Sequence, residues 1–391
     1  MRMDYFNWDE VHEYVVALRR DFHQHPEISL SELRTAGRIE EELDSLGISH
    51  QRIGKTGVLG TMKGTGSGHG VVALRADIDA LPIQETSNIE YCSQTDGVMH
   101  ACGHDAHTAC LLGAAKILMQ ERAGFGGEIR LIFQPAEEIG QGIREFFDAG
   151  VMAGVKRVFG IHTASDIPAG TVGLKPGLNN ASVDHFRIIV KGKSAHVSAP
   201  QLGIDALYVA SQIVVLLQAI VTRRTSPVEP VIIGVGKLSS GTTYNALAES
   251  AEMEGTTRTV SVKMREEIRR QVTEVAQQTA ALYGGSAEVV WTDFASPLIN
   301  DPLVCKEIAF MVKQFGIEAA VSTDRELSLS GDNFADLLMA APGTYAYLGT
   351  GNPEMPGTQN PAHNGKFDID ERALGIGVQL YAGCALGWLR T

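Results

Sequence analysis

Apolar positions recur at helical spacing over residues 8–23 and 31–46, and short apolar runs of strand length occupy 58–63, 71–75 and 128–134. Between the last two, Leu111, Ala115, Leu118 and Met119 mark one face of a helix expected over 104–120. Residues 157–161 form a further apolar run. Helices alternating with strands predict an α/β layer with largely parallel pairing. Past the turn Lys175-Pro176-Gly177 the pattern changes. Residues 185–191 alternate as a strand, and 205–222 read as a helix with Ala206, Val209, Ile213, Leu216 and Ile220 on one face. Strands at 231–237 and 249–258 follow. A second helix carries Met264, Ile268, Val272, Val275, Thr279 and Leu282 and stops at Gly284-Gly285, ahead of a strand at 287–292. This β-α-β-β-α-β order is that of a ferredoxin-like split unit. The α/β pattern then resumes, with a helix at 302–315, a strand at 344–348 and a helix at 370–389. The expected organisation is a discontinuous α/β domain, 1–180 and 294–391, interrupted by an α+β satellite domain at 181–293.

The length of 391 residues leaves room for such a division, at roughly 100–200 residues per domain. Thirty-three Lys and Arg stand against 46 Asp and Glu, a formal charge of −13. That balance gives no electrostatic footing on nucleic acid or on anionic lipid. No segment reads as a membrane span; the longest apolar stretch, around 213–221, contains Gln218 and sits in an amphipathic pattern. The first residues, 1–14, lack the apolar run of a secretory leader. Five scattered cysteines, Cys92, Cys102, Cys110, Cys305 and Cys384, form no disulfide framework, so a reducing cytoplasm is expected.

Four short segments carry chemistry. In His100-Ala101-Cys102-Gly103-His104-Asp105, a cysteine and a histidine two residues apart open the expected helix, a pairing suited to zinc or a similar ion. Its plain alternative is a buried cysteine beside polar helix-capping residues. Phe133-Gln134-Pro135-Ala136-Glu137-Glu138 follows a strand directly, where ligands bind in open α/β sheets. In a loop, one of these carboxylates can bind a metal while the other faces a water, or both can form a solvated acidic turn. His162 ends an apolar run and His363 lies in a Gly- and Pro-rich loop; each alone reads as an ordinary surface or satisfied histidine. Cys102, His104, Glu138, His162 and His363 all fall on loops expected to adjoin strands of one layer, enough donors for two metals. Asp77 and Asp79, after another strand, are candidate ligands, partners of ligand imidazoles, or a capped turn before Pro82.

Together these segments resemble the M20 metallopeptidases, in particular their N-acyl-amino-acid amidohydrolases: aminoacylase-like, hippurate-hydrolase-like, auxin-conjugate and aminobenzoyl-glutamate hydrolases. The likeness also takes in Phe22-His23-Gln24-His25-Pro26-Glu27, the stretch from Gly192 to His196, Gly203-Ile204-Asp205, Tyr244-Asn245, and the stretch from His363 to Phe367. The resemblance implies a dinuclear-metal catalytic α/β domain with an inserted ferredoxin-like satellite, or lid. It implies two divalent ions per subunit held by Cys102, His104, Glu138, His162 and His363. Zinc or manganese is expected there, with cobalt or nickel as further options. Glu137 is then general base and general acid, Asp77 lies behind the metals, and His196 stabilises the reacting carbonyl. Asn245 and Arg258 grip a substrate carboxylate.

The implied enzyme is a metal-dependent amidohydrolase acting on small N-acyl amino acids (N-acetyl, benzoyl or aminobenzoyl). It needs no covalent intermediate, takes no nucleic-acid or membrane partner, and forms a homodimer through the satellite. A dipeptidase or carboxypeptidase on the same scaffold and a non-catalytic metal-binding relative are the alternatives. Two places depart from the family pattern. Asp332-Asn333 precedes Phe334 where Glu-Asp is usual, and Thr163-Ala164-Ser165-Asp166 follows His162 where an aromatic and a proline are usual. Both bear on substrate identity.

Overall fold

The structure is a computed structural model and describes residues 6–390. The first five residues of the N-terminal stretch, and the extreme ends of the expected segments 1–180 and 294–391, lie outside the described residues. The chain divides into two compact units. One comprises the residues up to Asn179, Ile299–Glu326 and those from Asn333 on; the other comprises Asn180–Leu298 and Leu327–Asp332.

The first unit opens with α1 (Trp8–Gln24), α2 (Leu33–Ser45), β1 (Ser49–Ile53), β2 (Gly57–Lys63), β3 (Val71–Asp77), α3 (His104–Gln120) and β4 (Glu128–Gln134). It continues through α4 (Ile143–Asp148), β5 (Val155–Pro168), β6 (Thr171–Gly173) and β7 (Gly177–Asn180). The second unit carries β8 (Ser182–Lys191), α5 (Ala206–Ala219), β9 (Val231–Ser240), β10 (Ser250–Thr259), α6 (Val262–Leu282) and β11 (Ser286–Ala295). The chain returns through β12 (Leu298–Asn300), α7 (Pro302–Phe315), β13 (Ala320–Ser322), α8 (Phe334–Ala340), β14 (Gly343–Gly351) and α9 (Ala373–Leu389).

Eight strands of the first unit form one sheet, ordered β1-β2-β4-β3-β5-β14-β6-β13. The expected parallel pairing holds for its centre, β4-β3-β5-β14. On either side β2 runs antiparallel to β4 and β6 antiparallel to β14, so the sheet is mixed. Helix α3 is buried on nearly every face. Gly113 allows its neighbours to approach: a Cβ there would lie 2.5 Å from Val15 on α1 and 2.8 Å from Val378 on α9. Helix-forming propensity is given up here for close helix packing.

The second unit is an antiparallel sheet, β11-β8-β10-β9, with α5 and α6 packed on it around Phe186, Ile188, Ile213, Met253 and Val272. One expectation is corrected here. Ala206–Arg224, comprising α5 and a following π turn, is long and apolar enough to cross a membrane by length and composition. One amide among so many apolar side chains leaves the stretch apolar on average, and Gln218 Nε2 donates to Ile233 O. Ala206, Val209, Ala210, Ile213, Leu217 and Ile220 of this segment are buried in the core of the unit.

Candidate active site

The central strands β4, β3 and β5 are neighbours running in one direction, so Gln134, Asp77 and the second half of β5 lie at the same edge of the sheet. Ligands in open α/β sheets bind at that edge. His162 sits within β5, paired with Tyr347 of β14, and not on a loop as expected. The apolar run ends at Ile161, but the strand continues through polar residues because β14 pairs with it as far as Gly351.

Four overlapping trios of donors occupy this edge among the described residues: Cys102, His104 and His162; Cys102, Glu138 and His363; His104, Glu137 and Glu138; and Asp77, His104 and His107. Within each, one donor atom per residue lies within 4.8 Å of the others. The five foreseen ligands are therefore brought together, with Glu137 beside them.

Local backbone sets each one. Gly103 has φ +85°, and a Cβ there would sit 2.3 Å from Thr163 Oγ1. Only glycine makes this turn between Cys102 and His104 and lets the segment lie against β5. Ala136, also left-handed at φ +56°, turns the chain from β4 into the short helix Glu137–Ile139. Its N–H donates to Glu32 Oε1 (2.9 Å), which helps hold this strained turn. His363, at φ +65°, donates its N–H to Ala101 O (2.7 Å). That bond fastens a distant loop to the Cys102 segment.

Side-chain chemistry at the site fits a cation. His104 Nε2 and Glu138 Oε1 are buried, lack any hydrogen-bond partner and lie 3.8 Å apart. Buried polar atoms are normally paired, and a metal between sulfur, nitrogen and oxygen donors would satisfy both. His162 donates from Nδ1 to Thr163 O (2.7 Å), which leaves its Nε2 lone pair 3.4 Å from Cys102 Sγ. Burial, and then the neighbouring His107, keep the His162 imidazole well below its ordinary pKa, hence neutral. Burial also disfavours charge on His104, but Asp77 and Cys102 outweigh it and raise the ring above its usual value. A cation at Nε2 would take the place of that proton. Burial pushes the Cys102 thiol well up, reinforced by Glu138, so the thiolate needs a cation beside it. His363, about half exposed, has Nε2 3.4 Å from Glu138 Oε2 and is raised by that hydrogen bond.

Asp79 ties two of these residues together. It meets His104 Nδ1 (3.3 Å), accepts the Glu138 N–H (3.0 Å) and accepts Ser29 Oγ (2.7 Å). Burial pushes its carboxyl up, but these bonds prevail and hold it below the usual range. Asp77 stands one step further back. It accepts from Arg75 Nη1 (2.6 Å) and from His107 Nδ1 (2.5 Å). His107, which no sequence signal marked, accepts the Thr163 N–H at Nε2 (2.8 Å), so both its nitrogens are used. Asp79→Asn is expected to weaken metal affinity by roughly 10–100-fold, read by titrating the metal against a chelator. An unchanged affinity would show that the carboxylate does not support His104 and Glu138.

Glu137 is placed differently from Glu138. Its Oε1 accepts the Asn333 N–H (3.4 Å). The Asn333 side chain accepts from Gln134 Nε2 (2.7 Å) and Arg75 Nη2 (3.4 Å) and donates to Gln141 O (3.0 Å). Asn333, Gln134 and Arg75 thus form a buried frame behind Glu137.

His196, Asn245 and Arg258 belong to the second unit. His196 is exposed, and its Nδ1 accepts the Ser198 N–H (3.1 Å), so the ring carries its proton on Nε2. Val197 N–H donates to Asn245 O (3.2 Å), which places His196 and Asn245 on adjoining segments. Arg258, on β10, donates to Leu329 O (3.2 Å).

Residues 73–386 match the model of peptidase family M20/M25/M40. The chain is 38% identical over 385 residues to an N-acetylcysteine deacetylase of Bacillus subtilis, covering 97% of this chain and 98% of that one. It is 39% identical over 382 residues to thermostable carboxypeptidase 2 of Saccharolobus solfataricus, covering 96% of each. A solved dinuclear metal-binding M20 peptidase of Bacillus subtilis superposes with a TM-score of 0.82 at 37% identity, covering 98% of this chain and 99% of that one.

Proposed function

Because the chain belongs to peptidase family M20/M25/M40, and is thereby a hydrolase of C–N bonds, we propose that it cleaves the amide bond of small N-acyl amino acids. The observation that carries the chemistry is the divergence of two adjacent carboxylates. Glu138 turns an unpartnered buried oxygen toward His104, while Glu137 is anchored by Asn333 beside the same donors. Similarity to an N-acetylcysteine deacetylase along almost the whole chain supports the N-acyl substrate class.

Cys102, His104, Glu138, His162 and His363 would hold two divalent ions, zinc or manganese by donor type, with cobalt or nickel also suited. Such ions polarise a carbonyl and lower the pKa of water from 15.7 to about 7. Glu137 takes the proton of the attacking water as its oxygen bonds to the amide carbon. It delivers that proton to the nitrogen as the C–N bond breaks. One carboxylate thus serves as base and then acid, and no serine or cysteine nucleophile is needed. The Asn333 N–H and the Ala136 turn keep Glu137 in place through both transfers. His196, with its proton on Nε2, is assigned to donate to the oxyanion, and Asn245 and Arg258 to hold the α-carboxylate.

Similarity to a carboxypeptidase at nearly the same identity supports a second reading, cleavage of peptides on the same scaffold. Turnover of N-acetyl-L-methionine compared with L-alanyl-L-methionine separates the two. The acetylated substrate is expected to have at least roughly tenfold higher kcat/KM, a difference of about 1.4 kcal/mol in transition-state binding. The reverse order would assign the enzyme to peptides.

A further inference from the structure

His162 and Tyr347 are register partners on the parallel strands β5 and β14, so their side chains point to the same face of the sheet. Their ring centroids are 6.3 Å apart, and Tyr345, two residues back on the same face, is 6.1 Å from His162. Phe334 stacks on Tyr345 at 4.6 Å. Phe334, Tyr345 and Tyr347 therefore form an aromatic wall beside a candidate metal ligand. At its end, the guanidinium carbon of Arg325 lies 3.4 Å from the centre of the Tyr347 ring.

This arginine has an ion-pair partner and an aromatic partner, yet one of its donors is unmet. Its side chain is 23% exposed, yet Nη1 is buried and has no hydrogen-bond partner. Its Nη2 faces Asp166 at 3.6 Å, too long for a hydrogen bond, and that carboxylate is largely exposed. Asp166 closes the segment from Thr163, where this chain departs from the pattern of the family it resembles. A buried donor lacking an acceptor is unfavourable, and a planar guanidinium presents its N–H groups as a rigid fork. The acceptor that best matches such a fork is a carboxylate.

We propose that Arg325 reads a second carboxylate on the substrate, in addition to the α-carboxylate, making this an enzyme for N-acyl amino acids with an acidic substituent. The inference rests on the N-acyl amino acid reading. An acidic amino-acid side chain and a terminal carboxylate on the acyl group share the chemistry that Arg325 recognises, and two pairs of substrates distinguish them. N-acetyl-L-glutamate against N-acetyl-L-glutamine tests the amino-acid side. N-succinyl-L-alanine against its succinamyl analogue tests the acyl side. Each pair differs only in acid against amide, and kcat and KM are measured for the metal-loaded wild type and for Arg325→Met.

The wild type is expected to favour the acid in one pair by roughly 10–100-fold in kcat/KM, as a charge-assisted hydrogen bond supplies. Arg325→Met is expected to abolish that preference, mostly through KM, while cleaving the amide within about threefold of wild type. Equal rates for acid and amide in both pairs of the wild type would overturn the proposal, whatever the variant does. So would a variant that slows acid and amide alike. Either result, with N-acetyl-L-methionine still cleaved, leaves the N-acyl reading standing. Failure to cleave N-acetyl-L-methionine and both amides would count against that reading, and this inference would fall with it.

Discussion

Glu137→Gln is expected to lower kcat by roughly 10²–10⁴-fold while metal content stays at the wild-type level. Glutamine keeps the size of the side chain, and its carbonyl oxygen still accepts the Asn333 N–H that Glu137 accepts at 3.4 Å. It cannot take up or return a proton. Glu137 and Glu138 share a donor trio with His104, so proximity alone does not separate their roles. Their surroundings do. Glu138 Oε1 is buried without a hydrogen-bond partner, and its Oε2 lies 3.4 Å from His363 Nε2, the position of a ligand. Glu137 is fastened by a frame of neutral amides and Arg75. Glu138→Gln is therefore expected to lose metal along with activity. Elemental analysis of the two purified variants checks this, and metal loss in Glu137→Gln but not in Glu138→Gln would exchange the two roles.

The candidate site was legible in the sequence where its residues come in local clusters. The segments around Cys102 and Glu137 are short, and each adjoins an element with strong periodicity. α3 and β4 have the bounds their apolar spacing predicts, His104–Gln120 and Glu128–Gln134. What supports the ligands was far less legible. Asn333 is 196 residues from the Glu137 it anchors, and Arg75 is 258 residues from Asn333. His107 looked like one more residue of an apolar helix, because its partners, Asp77 and the Thr163 N–H, come from two different strands. The resemblance set Asp77 behind the metals, but nothing in the spacing of Asp77 and Asp79 told which would hold His104. That depends on how Asp79, two residues past the end of β3, meets the first turn of α3.

The fold shows the same division. β6 and β13 are three residues each and pair with each other at the edge of the sheet. They are stabilised by their neighbours and carry no periodic signal of their own. The short helices α4 and α8 escaped for the same reason. Beyond Ile161 the strand β5 is set by pairing with β14, which itself extends further than the expected 344–348, from Gly343 to Gly351. In the second unit, by contrast, the alternation of strands and helices gave the element order, because each helix has one apolar face packed on the sheet.

Cys102 belongs to two donor trios, one with His104 and His162 and the other with Glu138 and His363, whereas His363 belongs to one. Loss of Cys102 should therefore disturb both ion positions, and loss of His363 only one. Cys102→Ala is expected to retain almost no metal after dialysis and to show almost no activity, while His363→Ala retains about half the wild-type metal. The thiol itself gives an independent reading. As a ligand it must be the thiolate, shielded by the ion it binds. With metal bound, iodoacetamide should leave Cys102 unmodified; after chelation it should react. Burial and Glu138 raise the thiol well above its ordinary value when no cation is present, so labelling after chelation should be slow near neutrality and quicken as pH rises. Cys92 is exposed and should label in both states, which makes it the internal standard, while Cys110, Cys305 and Cys384 are buried in the core. Equal labelling of Cys102 with and without metal, measured by mass spectrometry against Cys92, would remove it from the ligand set. Both ion positions would then have to be built from histidine and carboxylate alone.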